Sequence, residues 1–256
     1  MRQARIAFAV GLVGSLLTSA CLQRTVVNRA SEDARPTDLA SFTTPQRVGG
    51  DEQAAVQREP GAGVDGADVW RFERCRITTA LPEGYPAPTP PGAIEIKLYP
   101  RARRAEVSGA IWPDMGMNVA FWPLFNHIKE REIAMTSPVE MDYAGVREDG
   151  RLKSDDWTMS FLYREPEMGR IEEDGVVSVV DRSPLLVLSI GQRGNYGVEL
   201  ANNGLKSLRE WLEADGRFEA AGPPRSLYYN GPEQSARDKW SETQLPIRPR
   251  ASAAAH

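Results

Sequence analysis

The alternation of apolar and polar side chains along this chain predicts a set of β-strands. Successive side chains of a strand point to opposite faces, so a segment with period 2 buries one face. In the segment AIEIKLY, Ile94 and Ile96 share one face while Glu95 and Lys97 share the other. The same reasoning predicts further strands at residues 104–111, 157–163, 176–180 and 185–190.

A helical period appears between two groups of these strands. Phe121, Leu124, Phe125 and Ile128 recur at the spacing of one helical face, which predicts a helix over about residues 117–129. Pro123 has no backbone N–H to donate, so the pattern requires the regular helix to begin close to it. The helix then precedes the segment EIAMTSPVEM, which we interpret as a strand, a break near the proline, and a strand again.

A second helix is predicted near residues 197–214 by the stripe of Leu205, Leu208 and Leu212, with Gly216 as its stop. The order strand, strand, helix, strand, strand therefore occurs twice, although the residues themselves do not repeat. This layout predicts an α+β fold in which an antiparallel sheet carries two helices.

The beginning of the chain has the pattern of an export signal. A basic start, MRQAR, precedes an apolar run of 12 residues, IAFAVGLVGSLL. A membrane-spanning helix needs roughly 20 residues, so the run indicates a secretory signal. The following TSAC resembles a bacterial lipobox, although Thr18 stands where leucine is favoured. We interpret residues 1–21 as a lipoprotein-type signal with Cys21 lipidated; an ordinary cleaved signal is the alternative. The expected location is the bacterial cell envelope, lipid-anchored and facing the periplasm.

The composition changes after the signal. Residues 22–67 are rich in Asp, Glu, Gly, Pro, Ser and Thr and poor in large apolar residues. Such a segment buries too little surface to offset its ordering entropy, which predicts a disordered tether. The folded domain is then expected at 68–246, followed by a flexible tail at 247–256.

Charge and cysteine content restrict the class of function. The formal net charge is −4, so nothing global points to nucleic acid. The only cysteines are Cys21 and Cys75, too few for a disulfide framework or a zinc cluster. Cys75 is interpreted as a strand residue; the alternative is a thiol made reactive by its arginine neighbours.

Four motifs, in order and spacing, resemble the SOUL haem-binding protein family. They are IEIKLYP, FWPLFNHIKEREIAMTSPV, DGVVSVVDRSPLLVLSIGQRG and SLYYNGPEQSARDKWSETQLPI. The resemblance implies a distorted antiparallel β-barrel of two similar halves flanked by two α-helices. It also implies that haem or another tetrapyrrole binds, without chemistry on a substrate, in a hydrophobic groove along the first helix.

The resemblance implies a set of cofactor-binding residues on and just after the first helix: Met117, Phe121, Phe125, His127, Lys129 and Arg131. Some family members ligate iron through a histidine at the position of Leu98, which cannot bind metal. His127 is then the remaining imidazole ligand for iron in the domain. The alternative is a boundary histidine with a solvated ring. Met115 and Met117 are either packing residues or weak thioether ligands, and Lys129 and Arg131 would meet the propionates.

The sequence therefore supports two hypotheses of function. The leading one is non-enzymatic binding of haem or a related tetrapyrrole by an envelope-tethered domain. The alternative is a membrane-tethered structural or protein-interaction module without pigment. An enzyme is not expected, because one histidine in the domain gives no Ser-His-Asp arrangement.

Overall fold

The computed structural model describes residues 39–109 and 113–250. Cys21, the predicted signal, and the end of the predicted tail at 251–256 lie outside the described residues. The helices are α1 (Pro113–Glu130) and α2 (Val198–Asp215). The strands are β1 (Gln46–Gly50), β2 (Gln57–Glu59), β3 (Val69–Phe72), β4 (Cys75–Ile77), β5 (Ala93–Tyr99), β6 (Ala102–Gly109), β7 (Val139–Tyr143), β8 (Trp157–Leu162), β9 (Glu173–Asp174), β10 (Val177–Arg182), β11 (Leu185–Arg193), β12 (Phe218–Ala220), β13 (Arg225–Tyr228) and β14 (Trp240–Pro249).

The fold is α+β, as the layout predicts. The main sheet is antiparallel, in the order β1-β5-β11-β14-β13-β7-β8-β6-β10-β9, and β12 also pairs with β14. Among the described residues its end strands, β1 and β9, do not pair with each other, so the sheet is open. No helix in this part of the chain is long and apolar enough to cross a membrane.

The strand order has an internal symmetry. One half consists of β5, β6, α1, β7 and β8, and the other of β10, β11, α2, β13 and β14. The strands correspond as β5 to β10, β6 to β11, β7 to β13, β8 to β14 and β1 to β9. When each strand is replaced by its counterpart, the sheet order is the same order read backwards. The two helices follow the same rule, since α1 contacts β6 and β8 while α2 contacts β11 and β14.

Both helices cover the same face of the sheet and form the main core there. Leu124, Leu205 and Leu208 are fully buried in it, against sheet residues such as Ile96 and Met159. Burying each such side chain contributes about 1.5–3 kcal/mol relative to leaving it in water. All five strands predicted from alternation are present, and α2 ends at Gly216, whose left-handed backbone caps the helix.

Helix α1 begins earlier than predicted. It starts at Pro113, so Pro123 lies in its interior rather than near its first turn. The carbonyl that Pro123 leaves without a helical donor is that of Val119. Val119 is 64% exposed, so water can hydrate the carbonyl region and the interior proline is tolerated.

The opposite face of the sheet is covered by residues 51–92. Strands β2, β3 and β4 form a small antiparallel sheet, and a second apolar cluster joins it to the main sheet. In this cluster Cys75 and Ile77 of the small sheet meet Trp240 and Leu227 of the main sheet. The proline-rich segment 78–92 covers the rest of this face. Its backbone at Pro90 lies so close to Gly191 that a side chain at position 191 would clash with it.

The predicted domain boundaries are wrong at both ends. Gln46–Gly50 adds a strand to the edge of β5, and Gln57–Glu59 pairs with β3, although 22–67 was expected to be a tether. Strand pairing uses backbone groups, so a polar edge strand forms without the apolar side chains that composition counts. Strand β14 also runs to Pro249, and Ile247 is buried, so the tail does not begin at residue 247.

The segment EIAMTSPVEM is a junction between elements. Thr136 Oγ1 donates to the carbonyl of Leu162 at 2.7 Å, and Ser137 Oγ donates to that of Tyr229 at 3.1 Å. The Ser137 amide donates to the carbonyl of Ala80 at 2.8 Å. These bonds go to three different segments, so no strand forms before Pro138, contrary to the prediction, and β7 begins at Val139.

Candidate functional site

Helix α1 presents three aromatic rings beside one another at the surface. The rings of Phe121 and Phe125 are stacked with centroids 5.8 Å apart, and Trp122 meets both edge-on at 5.6 and 6.0 Å. Phe121 also contacts Phe161 of β8, at 5.3 Å between centroids. We call Phe121, Trp122 and Phe125 the aromatic surface of α1. Such rings bind flat apolar groups by stacking and edge-on contacts.

The aromatic surface is only partly buried. Trp122 is 61% exposed, and Phe121 and Phe125 are half-buried at the edge of the core. The predicted apolar stripe is therefore correct for Leu124 and Ile128, which are buried, while the two phenylalanines lie at its margin. The aromatic rings are thus available to a ligand without unfolding the core.

His127 lies away from the aromatic surface. It follows Phe125 by two residues, about 200° around the helix axis, and its side chain is 1% exposed. Nδ1 lies 3.0 Å from Asp174 Oδ2 and Nε2 lies 2.9 Å from the Tyr163 hydroxyl. The carboxylate only accepts hydrogen bonds, so Nδ1 donates, and in the neutral ring Nε2 accepts from Tyr163.

This geometry corrects both interpretations of His127. The ring is not a solvated boundary histidine, because almost none of it reaches water. Neither ring nitrogen has a free lone pair for iron while Asp174 and Tyr163 are in place. Metal ligation by His127 therefore does not fit the arrangement.

Charged partners fix the surroundings of His127. Arg131 contacts Glu172 at 2.9 Å and Asp174 at 3.0 Å. The hydrogen bond from His127, with Arg131 beside it, lowers the pKa of Asp174 below its ordinary value. Burial raises the pKa of Tyr163 to about 12, so its hydroxyl stays protonated at neutral pH.

The remaining predicted site residues do not converge on one point. Arg131 is bound by two carboxylates. Lys129, in the last turn of α1, is exposed to solvent. Met117 belongs to α1, and its side chain lies outside the described part of the structure. Cys75 is fully buried in β4, which confirms a strand residue, and burial raises the pKa of its thiol.

A buried polar network lies on the other face of the sheet. Glu242 is fully buried and accepts hydrogen bonds from Lys97 at 3.1 Å, Tyr229 at 2.7 Å and the Thr89 amide at 2.7 Å. Burial by itself would raise the pKa of Glu242, but Lys97 and these donors outweigh it and lower the pKa. Alternation placed Lys97 on a common face with Glu95 but gave no sign that this face is covered.

The neighbouring charges of this network compensate one another. Glu140 accepts from Arg104 at 2.8 Å and from Arg225 at 3.1 Å, and Arg104 also contacts Asp142. Buried charges are tolerated when each is paired and hydrogen-bonded. The described residues contain no group of three or more His, Cys, Asp or Glu side chains suited to a metal ion. Because Lys97, Glu140 and Glu242 are each paired, we interpret the network as structural.

A cleft of about 720 Å³ lies between α2 and residues 41–48. Its apolar lining comprises Phe42, Val48, Ile96, Trp211, Ala214 and Phe218, and its polar lining Ser41, Gln46, Arg47, Asp215 and Arg217. Sequence reasoning misses this cleft because the polar composition of residues 41–48 predicts a tether there. The one available signal was Phe42, an isolated aromatic residue in a polar segment.

No protein-family model matches the chain, and no curated protein matches it. Solved structures with a similar fold do match the chain. The cryo-EM structure of EcmrR in a DNA complex is 14% identical with a TM-score of 0.51, covering 60% of this chain. The matched region spans 57% of the EcmrR chain. A Listeria innocua protein described as a hydrolase is 15% identical with a TM-score of 0.47, covering 63% of this chain and 94% of its own. At these identities the likeness to EcmrR concerns the fold alone.

Proposed function

We propose that this chain is an envelope-tethered domain that binds haem or a related tetrapyrrole, without enzymatic activity, by stacking on the aromatic surface of α1. The observation that carries the proposal is the group of adjoining rings at Phe121, Trp122 and Phe125, of which Trp122 is 61% exposed. The motifs that resemble the SOUL family include this helix, which supports the same assignment. Lipidation of Cys21 and a periplasmic location belong to the proposal.

The proposal includes a SOUL-like fold, a distorted barrel of two similar halves. The symmetric strand order and the placement of one helix on each half support it. Because β1 and β9 do not pair with each other within the described residues, the barrel of this proposal is an open one.

The residues near α1 suit a flat ring better than they suit its iron. The aromatic surface offers stacking partners, whereas both nitrogens of His127 carry hydrogen bonds and Arg131 is held by Glu172 and Asp174. The binding that we propose therefore rests on apolar contact, with Lys129 as the exposed cation available to a propionate. A pigment without iron should bind as well as haem.

Titration of the full chain carrying Cys21→Ser tests the proposal, because this variant takes no lipid. Haemin and metal-free protoporphyrin IX should each give a saturable change in the Soret band, with similar affinities. Trp122→Ala should weaken both by up to about tenfold, since an aromatic contact is worth roughly 0.5–1.5 kcal/mol beyond its area. Val64→Ala, which truncates another exposed apolar residue, is the matched control. No saturable change with either pigment at micromolar protein would sink the proposal.

One observation favours the alternative, a membrane-tethered interaction module without pigment. Arg131 near α1 is paired with Glu172 and Asp174, and an exposed tryptophan among aromatic neighbours is also typical of a protein-contact hot spot. Purification of the lipidated chain from its own envelope distinguishes the two. Recovery of one stoichiometric protein partner, lost in Trp122→Ala, in a sample without Soret absorption would favour the module.

A further inference from the structure

We infer that a polar cleft between α2 and the loop at residues 149–151 binds a free α-amino acid with a polar side chain, such as glutamine. The volume of this cleft is about 370 Å³, within the roughly 300–1,000 Å³ typical of small-ligand pockets. Its lining contains no residue of the aromatic surface of α1, so the inference is independent of tetrapyrrole binding.

The lining of the polar cleft carries both signs of charge. Its cations and carboxylates are equal in number: Arg151, Lys206 and Arg209, and Asp149, Glu210 and Glu213. At neutral pH an α-amino acid carries one carboxylate and one ammonium group. Such a lining therefore favours a zwitterion over a simple anion or a simple cation.

Some of these charges are used to hold the loop beside α2. Arg151 pairs with Glu199 at 2.7 Å, and Asp149 accepts a hydrogen bond from the backbone amide of Arg151 at 3.0 Å. Arg209 and Glu213 are different, because neither makes an ion pair or a side-chain hydrogen bond with any other described residue. These two side chains are therefore the ones available to a ligand.

Arg209 and Glu213 are placed to bind the two charged groups of an amino acid. They are spaced i, i+4 on α2, so their side chains are neighbours on the helix surface. A Cβ at Gly150 would overlap Nη1 of Arg209, so the guanidinium lies against the loop rather than against Glu213. A ligand carboxylate can then accept from Arg209 while the ligand ammonium donates to Glu213.

Asn202 adds a buried donor to the lining. It is 8% exposed, its Oδ1 accepts from the Leu152 amide at 2.8 Å, and its Nδ2 has no hydrogen-bond partner in the described part of the chain. Helical side chains lean toward the preceding turn, so Lys206 overlies Asn202. The Lys206 side chain is 77% exposed and lies 3.9 Å from Glu210, so it can move aside for a ligand. A side-chain carbonyl of the ligand would then satisfy Nδ2, which favours glutamine over an apolar amino acid.

The test titrates L-glutamine at millimolar concentrations into the full Cys21→Ser chain, followed by calorimetry. Saturable binding should weaken roughly tenfold for glutaminamide, which lacks the carboxylate, and for glutaramic acid, which lacks the ammonium, because each loses a charge-assisted contact. L-norleucine, which is similar in size, should also bind roughly tenfold more weakly, because it leaves Nδ2 of Asn202 unsatisfied.

Variants assign the two charged contacts. Arg209→Gln should weaken glutamine binding roughly tenfold and leave glutaminamide binding unchanged, because glutaminamide has no carboxylate to lose. Glu213→Gln should weaken glutamine binding and leave glutaramic acid binding unchanged for the corresponding reason. Arg170→Gln, at another exposed arginine, is the matched control and should bind glutamine as the parent chain does. Trp122→Ala should also retain glutamine binding.

Unchanged melting temperatures would show that these variants fold. The inference would be overturned by the absence of saturable glutamine binding, or by equal losses of glutamine and glutaminamide in Arg209→Gln. Loss of glutamine binding in Arg170→Gln or in Trp122→Ala would also overturn it.

Discussion

The ammonium group of Lys97 lies 3.1 Å from the carboxylate of Glu242, and neither side chain is exposed to solvent. The two residues come from β5 and β14, on either side of β11, and segment 78–92 covers them through the amide of Thr89 and the carbonyl of Ala87. Water does not solvate either charge, so each is stabilised by the other. Loss of one partner should therefore destabilise the folded state.

Replacing Lys97 by methionine should therefore destabilise the protein. The variant leaves a buried carboxylate without its cation, which typically lowers the free energy of unfolding by about 3–5 kcal/mol. Urea unfolding at neutral pH measures this change. Lys206→Met is the matched control, since Lys206 and Glu210 are largely exposed and such a pair contributes only about 0.3–0.5 kcal/mol. Equal effects of the two substitutions would contradict the buried pair.

The same pair predicts a dependence of stability on pH. The pKa of Glu242 is lowered in the folded state, so its contribution is complete above the ordinary glutamate value of 4.5. That contribution is lost as the pH falls through the lower folded pKa, when the proton must enter the network. Unfolding followed from about pH 7 to about pH 3 should show a steeper loss in the wild type than in Glu242→Gln. An identical slope in both would show that Glu242 is not responsible.

His127→Ala should change stability and leave pigment binding alone. The substitution leaves the buried hydroxyl of Tyr163 without its partner, which costs about 1–3 kcal/mol. Haemin titration should give the same Soret position and affinity as the parent chain, because His127 faces away from the aromatic surface. The double variant with Tyr163→Phe should recover part of the stability. A shifted Soret band in His127→Ala would instead identify His127 as an iron ligand.

The thiol of Cys75 should be inert in the folded protein. In the Cys21→Ser chain it is the remaining cysteine, and it is fully buried with a raised pKa. A thiol reagent such as dithionitrobenzoate should therefore react at neutral pH only after urea unfolds the chain. Val176→Cys, at a position that is 66% exposed, gives the fast-reacting control. Rapid labelling of native Cys75 would revive the alternative of a reactive thiol.

Deleting residues 39–50 should destabilise the folded domain relative to the chain that retains them. The deletion removes β1 from the edge of β5, the ion pair of Arg47 with Glu95, and the acceptor of the Trp211 indole. The loss should amount to a few kcal/mol, about 1 kcal/mol for each hydrogen bond removed. Thermal unfolding compares the two chains, and equal midpoints would show that residues 39–50 add no stability to the fold.

Alternation and helical spacing were sufficient for the main elements because these elements bury one face. The core residues Ile96 and Leu124 illustrate this, since each lies in a segment whose period matches its secondary structure. The sequence does not predict strand β1, because this strand is stabilised by backbone pairing. Backbone pairing leaves no periodic pattern of apolar side chains in the sequence. The burial of Lys97 escaped for a different reason: the covering segment lies elsewhere in the chain, and its contacts are not local.

The candidate site was predictable only in part. The aromatic residues Phe121 and Phe125 follow from the helical stripe, and their partial exposure makes them available to a ligand. The role of His127 did not follow, because Tyr163 and Asp174, which hold its ring, are 36 and 47 residues away in sequence. The cleft beside α2 likewise combines residues that are far apart in sequence, such as Phe42 and Trp211.

The symmetric strand order makes the two halves interdependent for folding. Strand β5 of one half pairs with β11 of the other, and β6 pairs with β10, so each half supplies an edge that the other lacks. Isolated from its partner, either half would expose unpaired strand edges and invite aggregation. Such non-local pairings also slow folding. Calorimetry should accordingly show one cooperative transition, and damage to either helix should destabilise both halves at once.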